Sequence, residues 1–181
     1  MTLIIVVVAI VALIAAAFIV YNTVFLPNTL YPPFKAFQEY VPAHLVSEQH
    51  TTETEDGYLL TLVRVVNPEK LDPNRLPVLL QHGLGCSAFN FAISGPILSP
   101  AFILADRGFD VWLGNNRGNF FSNKHRTLKN TSPKFYDYSF QEMEFDVLAN
   151  LKKITETTGL PKVNYIGHSQ GTTQVISALT S

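Results

Sequence analysis

The chain has 181 residues, a formal net charge of −1 and no basic stripe, so nothing in it points to a nucleic-acid partner. Hydrophobic residues make up 47% and charged residues 15%, and much of the apolar excess lies in the first twenty positions. The single cysteine, Cys86, excludes an intrachain disulfide and the usual cysteine-based zinc sites.

Leu3 to Val20 contains no polar residue. As a helix this run of 18 positions would be about 27 Å long, close to the roughly 30 Å of a bilayer core. A soluble core helix would carry a polar face. Two readings remain for residues 1–26: a signal anchor that keeps the run as a spanning helix, or a signal peptide cleaved near Ala15-Ala16-Ala17. The length of the run, with Phe18-Ile19-Val20 continuing it, favours the anchor. The first Lys or Arg is Lys35, so charge does not set its orientation. Residues 27–42 read as a linker, with Pro27, Pro32 and Pro33 set against regular helix. Residues 43–181 read as globular.

Tyr58 to Val66 is rich in β-formers and follows the turn pair Asp56-Gly57, which predicts a hairpin with the strand before it. Pro77 to Gln81 is a short apolar run of the kind buried on both faces. Ile97 to Arg107 fits a helix with Ile97, Ala101, Leu104 and Ala105 on one side and Gly108 stopping it. Phe109 to Leu113 predicts another strand. Ser139 to Thr158 predicts an amphipathic helix, with Phe140, Met143, Val147, Leu151, Ile154 and Thr158 on one stripe. Ser139 and Glu142 stand at capping-box spacing, and Gly159 and Pro161 end the pattern. Lys162 to Ile166 predicts a strand and Thr172 to Leu179 a helix. This alternation predicts an α/β fold with a parallel sheet and helices on its faces.

Gly167-His168-Ser169-Gln170-Gly171 is a G-x-S-x-G placed between a predicted strand and a predicted helix, the setting a nucleophile elbow requires. A serine hydroxyl is a poor nucleophile at neutral pH and must be aimed as well as activated. Glycines on both sides let strand and helix approach around it. A tetrahedral intermediate also needs two preset N–H donors. One comes from the residue after the nucleophile, here Gln170. The other belongs to the loop after the third strand, where His82-Gly83-Leu84-Gly85 stands, with Leu84 as donor. All five histidines (His44, His50, His82, His125 and His168) precede Ser169, whereas the order in such hydrolases is serine, acid, histidine. None is therefore expected to be the base. Cys86 has no strand-turn-helix frame and reads as a small residue beside a loop.

Several stretches carry a resemblance to one family. Glu53 to Leu60 resembles its opening hairpin, and Val78 to Leu84 its oxyanion strand and loop. Leu104-Ala105-Asp106-Arg107-Gly108-Phe109-Asp110-Val111-Trp112-Leu113-Gly114-Asn115-Asn116-Arg117-Gly118-Asn119 is similar to the acid lipase signature, and Gly167 to Thr173 to its elbow. From about Leu45 onward the chain thus resembles the acid lipases, the gastric and lysosomal acid lipases and steryl ester hydrolases of the α/β-hydrolase fold. The resemblance implies Ser169 as nucleophile and the backbone N–H groups of Leu84 and Gln170 as the oxyanion hole. It also implies that the catalytic Asp, the lid and the catalytic His lie beyond the elbow. The fold expected is an α/β-hydrolase fold truncated after the elbow, preceded by an N-terminal hydrophobic helix.

The function expected is a serine ester hydrolase acting on triacylglycerol or steryl ester through an acyl-enzyme, with no cofactor and no metal. The 181-residue chain alone is expected to be inactive. A membrane-tethered non-catalytic module of the same fold is the alternative, and peptide or thioester cleavage is a further chemistry that the nucleophile alone allows. The expected partners are a lipid ester and a membrane or lipid interface, and no feature sets an oligomeric state. The expected location is a membrane, by the single-pass anchor, or the secreted or lysosomal lumen. Asn130-Thr131-Ser132 is the only glycosylation sequon and falls in a polar loop.

Overall fold

The computed structural model describes residues 33–180. The apolar run from Leu3 to Val20 and its anchor or signal reading lie outside them. No helix among the described residues is long and apolar enough to cross a membrane.

Strands β1 (Val46–Glu53) and β2 (Tyr58–Val66) form the expected antiparallel hairpin, turning through Gly57 at φ +97°. β3 (Val78–Gln81), β4 (Val111–Gly114), β5 (Lys124–His125) and β6 (Asn164–Gly167) complete one sheet in the order β1-β2-β4-β3-β6, with β5 beside the start of β2. The sheet is mixed: β2 runs antiparallel to both β1 and β4, while β4, β3 and β6 form the expected parallel part. The reason is the hairpin, since a tight turn can only reverse the chain. Parallel pairing begins where helical crossovers do.

Every residue of β3 and β4 is buried, and neighbours in sequence go to opposite faces. Val63, Leu80 and Leu113 pack on one side with Phe102. Leu62, Leu79 and Trp112 pack on the other with Ile154. Helix α2 (Pro100–Asp106) covers the first face and α3 (Glu144–Thr158) the second. This is why these strands read as unbroken apolar runs rather than alternating ones.

One helix was not expected, and three begin elsewhere than expected. Helix α1 (Pro33–Gln38) lies inside the stretch read as a linker: Pro33 occupies its first position, where a missing N–H costs nothing, and Phe37 is fully buried. α2 starts at Pro100 rather than Ile97. The residue before a proline is pushed out of helical space, and Ser99 is extended at ψ 122°, leaving Ile97 81% exposed. α3 starts at Glu144 rather than Ser139. The Ser139–Glu142 pair does form, with the Ser139 N–H and hydroxyl both donating to the Glu142 carboxylate at 2.7 and 2.6 Å. It closes a turn before the helix, and Phe140 stays exposed. Helix α4 (Gln170–Thr180) begins directly after Ser169, two residues earlier than the pattern indicated. Asn130 is exposed in the loop between β5 and a short 3-10 turn at Pro133–Tyr136.

Candidate active site

The carboxyl ends of β3 and β6 lie side by side, with Gln81 opposite Gly167. The chain leaves β6 through His168 and Ser169 and enters α4 at once. Ser169 has φ +53°, the one positive φ at a non-glycine among the described residues. A β-carbon in that region meets the following backbone, so this serine is held in strain by its surroundings. The surroundings are tight for a visible reason. A β-carbon on Gly167 would come within 2.8 Å of the backbone at Gly171 and Thr172, and one on Gly171 would strike the carbonyl oxygen of Gln81. Both glycines of the motif are thus places where backbone packs on backbone.

The loop after β3 comes back to the same point. A β-carbon on Gly83 would lie 2.8 Å from Ser169 Cβ and 3.2 Å from its Oγ. The Gly83–Leu84 segment therefore flanks the hydroxyl directly. Ser169 is exposed and Leu84 is 78% exposed, so this junction opens to solvent. Neither the Leu84 nor the Gln170 N–H is taken by a backbone carbonyl among the described residues. Gln170 also opens helix α4, whose first N–H groups and dipole favour negative charge nearby. A solvent-facing hydroxyl thus stands at the carboxyl ends of the parallel strands, with the Gly83 backbone close against it and the first turn of α4 directly after it.

Beneath the junction lies a polar layer that sequence reasoning did not single out. Gln81, 0% exposed, donates through Nε2 to Asn116 Oδ1 at 2.5 Å and receives Asn150 Nδ2 at 3.4 Å. His82, 1% exposed, has Nδ1 at 2.8 Å from the Gly83 carbonyl oxygen, while its Nε2 receives the Asn116 N–H at 3.1 Å and Asn119 Nδ2 at 3.2 Å. Burial pushes the His82 imidazole down to about 4. It is neutral, and two donors aimed at Nε2 put the proton on Nδ1.

Arg117 is the second buried group of the same loop. Its Nε and backbone N–H donate to Asp146 of α3, each at 2.8 Å, and its terminal nitrogens reach Asp56 of the hairpin turn at 2.5 and 3.0 Å. Its guanidinium also lies 4.2 Å from the Tyr58 ring centre. Burial raises the Asp146 carboxyl to about 6, against the pull of Arg117. These partners were detectable in principle: Asn115-Asn116-Arg117 is a polar run directly after a fully buried strand, and such a run must find internal partners.

The other predicted features fall elsewhere. His44 pairs with Asp106, His50 with Glu48, and His125 with the Asp56 carbonyl oxygen. His168 is exposed beside Ser169. Among the described residues no cluster of His, Cys, Asp and Glu could hold a metal ion.

The strand-elbow-helix geometry on a mixed sheet defines an α/β-hydrolase. Residues 77–179 match the family model of the alpha/beta hydrolase fold, and the chain belongs to that family. More particularly, residues 39–95 match its partial alpha/beta-hydrolase lipase region, and the resemblance to the acid lipases holds. The Caenorhabditis elegans lipase lipl-1 is 45% identical over 132 residues, covering 70% of this chain and 33% of the relative. The human lysosomal acid lipase/cholesteryl ester hydrolase is 45% identical over 131 residues, with the same coverage of 70% and 33%. The mouse gastric triacylglycerol lipase is 47% identical over 131 residues, again covering 70% and 33%. The chain thus spans about a third of the length of these relatives. Among solved structures, the Pyrococcus furiosus esterase Pf2001 superimposes with a TM-score of 0.53 at 17% identity, covering 76% of this chain and 47% of that one. A dienelactone hydrolase-like promiscuous phosphotriesterase gives 0.52 at 17%, covering 75% and 54%. At that identity the likeness speaks for the fold alone.

Proposed function

We propose that the protein is a serine carboxylic ester hydrolase acting on lipid esters, triacylglycerol or steryl ester, through an acyl-enzyme. The observation that carries this reading is the contact between Gly83 and a strained, exposed Ser169 at a strand-to-helix elbow. Ser169 Oγ attacks the ester carbonyl as a base takes its proton. The carbonyl oxygen becomes an oxyanion held by the N–H groups of Leu84 and Gln170. Collapse expels the alcohol, which takes up that proton, and water then releases the acid from Ser169 by the reverse sequence. The base and its acid partner are read as C-terminal to Ser169, following the chain order of this fold. The lipid substrate is supported by the lipase region at residues 39–95 and by relatives whose names specify triacylglycerol and cholesteryl ester hydrolysis. The apolar run from Leu3 to Val20 supports delivery through the secretory membrane system, as anchor or as signal, and relatives named as lysosomal and gastric support a lumenal or secreted location.

The test is Ser169→Ala in the full-length protein with emulsified triacylglycerol and a cholesteryl ester. Hydrolysis is expected to fall by at least about 1,000-fold with the thermal melt retained. Near-normal turnover by the variant would remove Ser169 from the chemistry.

A further inference from the structure

We infer that the Asn116–Asn119 loop and His82 form a positioning relay that aims the Leu84 N–H at the Ser169 site. The inference rests on the nucleophile reading above and adds residues that it does not use.

His82 is the centre of the relay. Its Nε2 faces two donors, the Asn116 N–H at 3.1 Å and Asn119 Nδ2 at 3.2 Å. A nitrogen that accepts cannot carry the proton, and although Asn116 Nδ2 also lies 3.4 Å from Nδ1, the much shorter 2.8 Å contact of Nδ1 with the Gly83 carbonyl oxygen needs a donor, so the proton resides on Nδ1. The Cys86 N–H donates to the same oxygen at 3.3 Å. The Gly83 carbonyl is thereby fixed in direction. That carbonyl and the Leu84 N–H belong to one trans, planar peptide, so they point opposite ways. Holding the oxygen toward His82, in the buried layer, turns the Leu84 N–H away from that layer. Gly83 itself abuts Ser169, and the relay as inferred leaves the Leu84 donor on the hydroxyl's side of the loop.

The relay is built to stay in register. Asn119 Oδ1 receives the N–H groups of Phe121 and Ser122, both at 2.9 Å, which fixes its amide nitrogen toward His82. The same amide nitrogen also donates to Asn115 Oδ1 at 3.2 Å. Asn116 Oδ1 is held by Gln81 at 2.5 Å. The groups facing the imidazole are neutral amides, and the titratable neighbour is His168, whose positive charge would oppose a second one on His82. Desolvation acts in the same direction. The ring therefore keeps its Nδ1–H form through mildly acid conditions, and the donor is aimed before substrate arrives. Preset donors of this kind stabilise the transition state without reorganising during the reaction. His82, Asn116 and Asn119 are positioning residues, acting through the Gly83–Leu84 peptide rather than touching substrate.

Two measurements on the full-length protein test this. The first is the rate of Ser169 modification by a p-nitrophenyl alkylphosphonate, which passes through an oxyanion at phosphorus, in wild type, His82→Leu, His82→Asn and Ser169→Ala. Asparagine can place its amide nitrogen where Nδ1 stood and donate to the same carbonyl. His82→Leu is expected to slow labelling about 100-fold, and His82→Asn to recover to within about tenfold of wild type. Equal rates for His82→Leu and wild type, or equally slow Asn and Leu variants with intact melts, would overturn the relay. Absence of Ser169-dependent labelling in wild type would overturn the nucleophile reading itself, and the relay with it. The second needs no variant: ¹⁵N spectroscopy of the imidazole should show an Nδ1–H, Nε2-bare ring unchanged from pH 8 to 5. An Nε2–H ring, or protonation within that range, would overturn the relay even if His82→Leu fails to fold.

Discussion

Ser169 combines two demands that oppose each other. Catalysis needs its hydroxyl, and the elbow needs φ +53°, which costs an L-residue of order 1 kcal/mol. Glycine would meet the backbone demand and fail the chemical one. Ser169→Gly is therefore expected to be inactive yet more stable than Ser169→Ala by roughly 1 kcal/mol, because alanine keeps the β-carbon and loses only the hydroxyl. Chemical denaturation of both variants checks this: an alanine variant as stable as the glycine variant would mean that the left-handed backbone at 169 stores no strain. The serine was legible in sequence because the motif and its flanks agree on a strand-to-helix junction. His82 was legible only as a residue of the oxyanion loop. Its tautomer depends on Asn116 and Asn119, more than thirty positions away, and no local pattern records such a pairing.

At the scale of elements, the loop from Asn115 to Ser122 does what helices and strands cannot. It follows β4 at the end of the buried strands and ties three elements together through Arg117: the β1–β2 turn at Asp56, strand β2 at Tyr58, and α3 at Asp146. Both Arg117 and Asp146 have fully buried side chains. Removing one partner of such a pair leaves the other charge without compensation, which typically costs about 3–5 kcal/mol. Arg117→Met is expected to lose about that much, and Arg117→Met combined with Asp146→Leu to lose less than the single change. Urea melts of the two single variants and the double supply the cycle. Strictly additive losses would show that the pair is not coupled. The same scale explains which boundaries the sequence concealed. The apolar periodicity that extended α2 back to Ile97 and α3 back to Phe140 is real, but Pro100 and the Ser139–Glu142 turn intervene between pattern and helix. The β3, β4 and β6 strands were placed to within two residues; for β3 and β4 the reason is that burial on both faces leaves an unbroken apolar run.

For the globular part as a whole, the decisive feature is the sheet margin. β3 and β4 are buried at every residue, whereas β6 alternates between exposed and half-buried. In the sheet order β6 stands last, with β3 on one side and no described strand on the other. Ile166 on this strand is 46% exposed, and on the adjoining helix α4 Ile176 and Leu179 are 61% and 79% exposed. An apolar strand with free N–H and C=O groups is a template for pairing with another chain, and an apolar helix face beside it adds to the drive. Residues 33–181 expressed by themselves are therefore expected to associate rather than remain monomeric. Their net stability should lie at or below the low end of the ~5–15 kcal/mol usual for domains, since the margin strand and α4 leave large apolar side chains in solvent. Light scattering coupled to size exclusion, with a thermal melt across a tenfold range of concentration, gives the measurement. Ile166→Lys together with Ile176→Lys, both on exposed positions, should shift the product toward monomer by placing charge on the strand and the helix face. A monomeric, cooperatively melting product without those lysines would show that the β6 margin is closed by its own residues, and that exposure at Ile166, Ile176 and Leu179 carries no drive to associate.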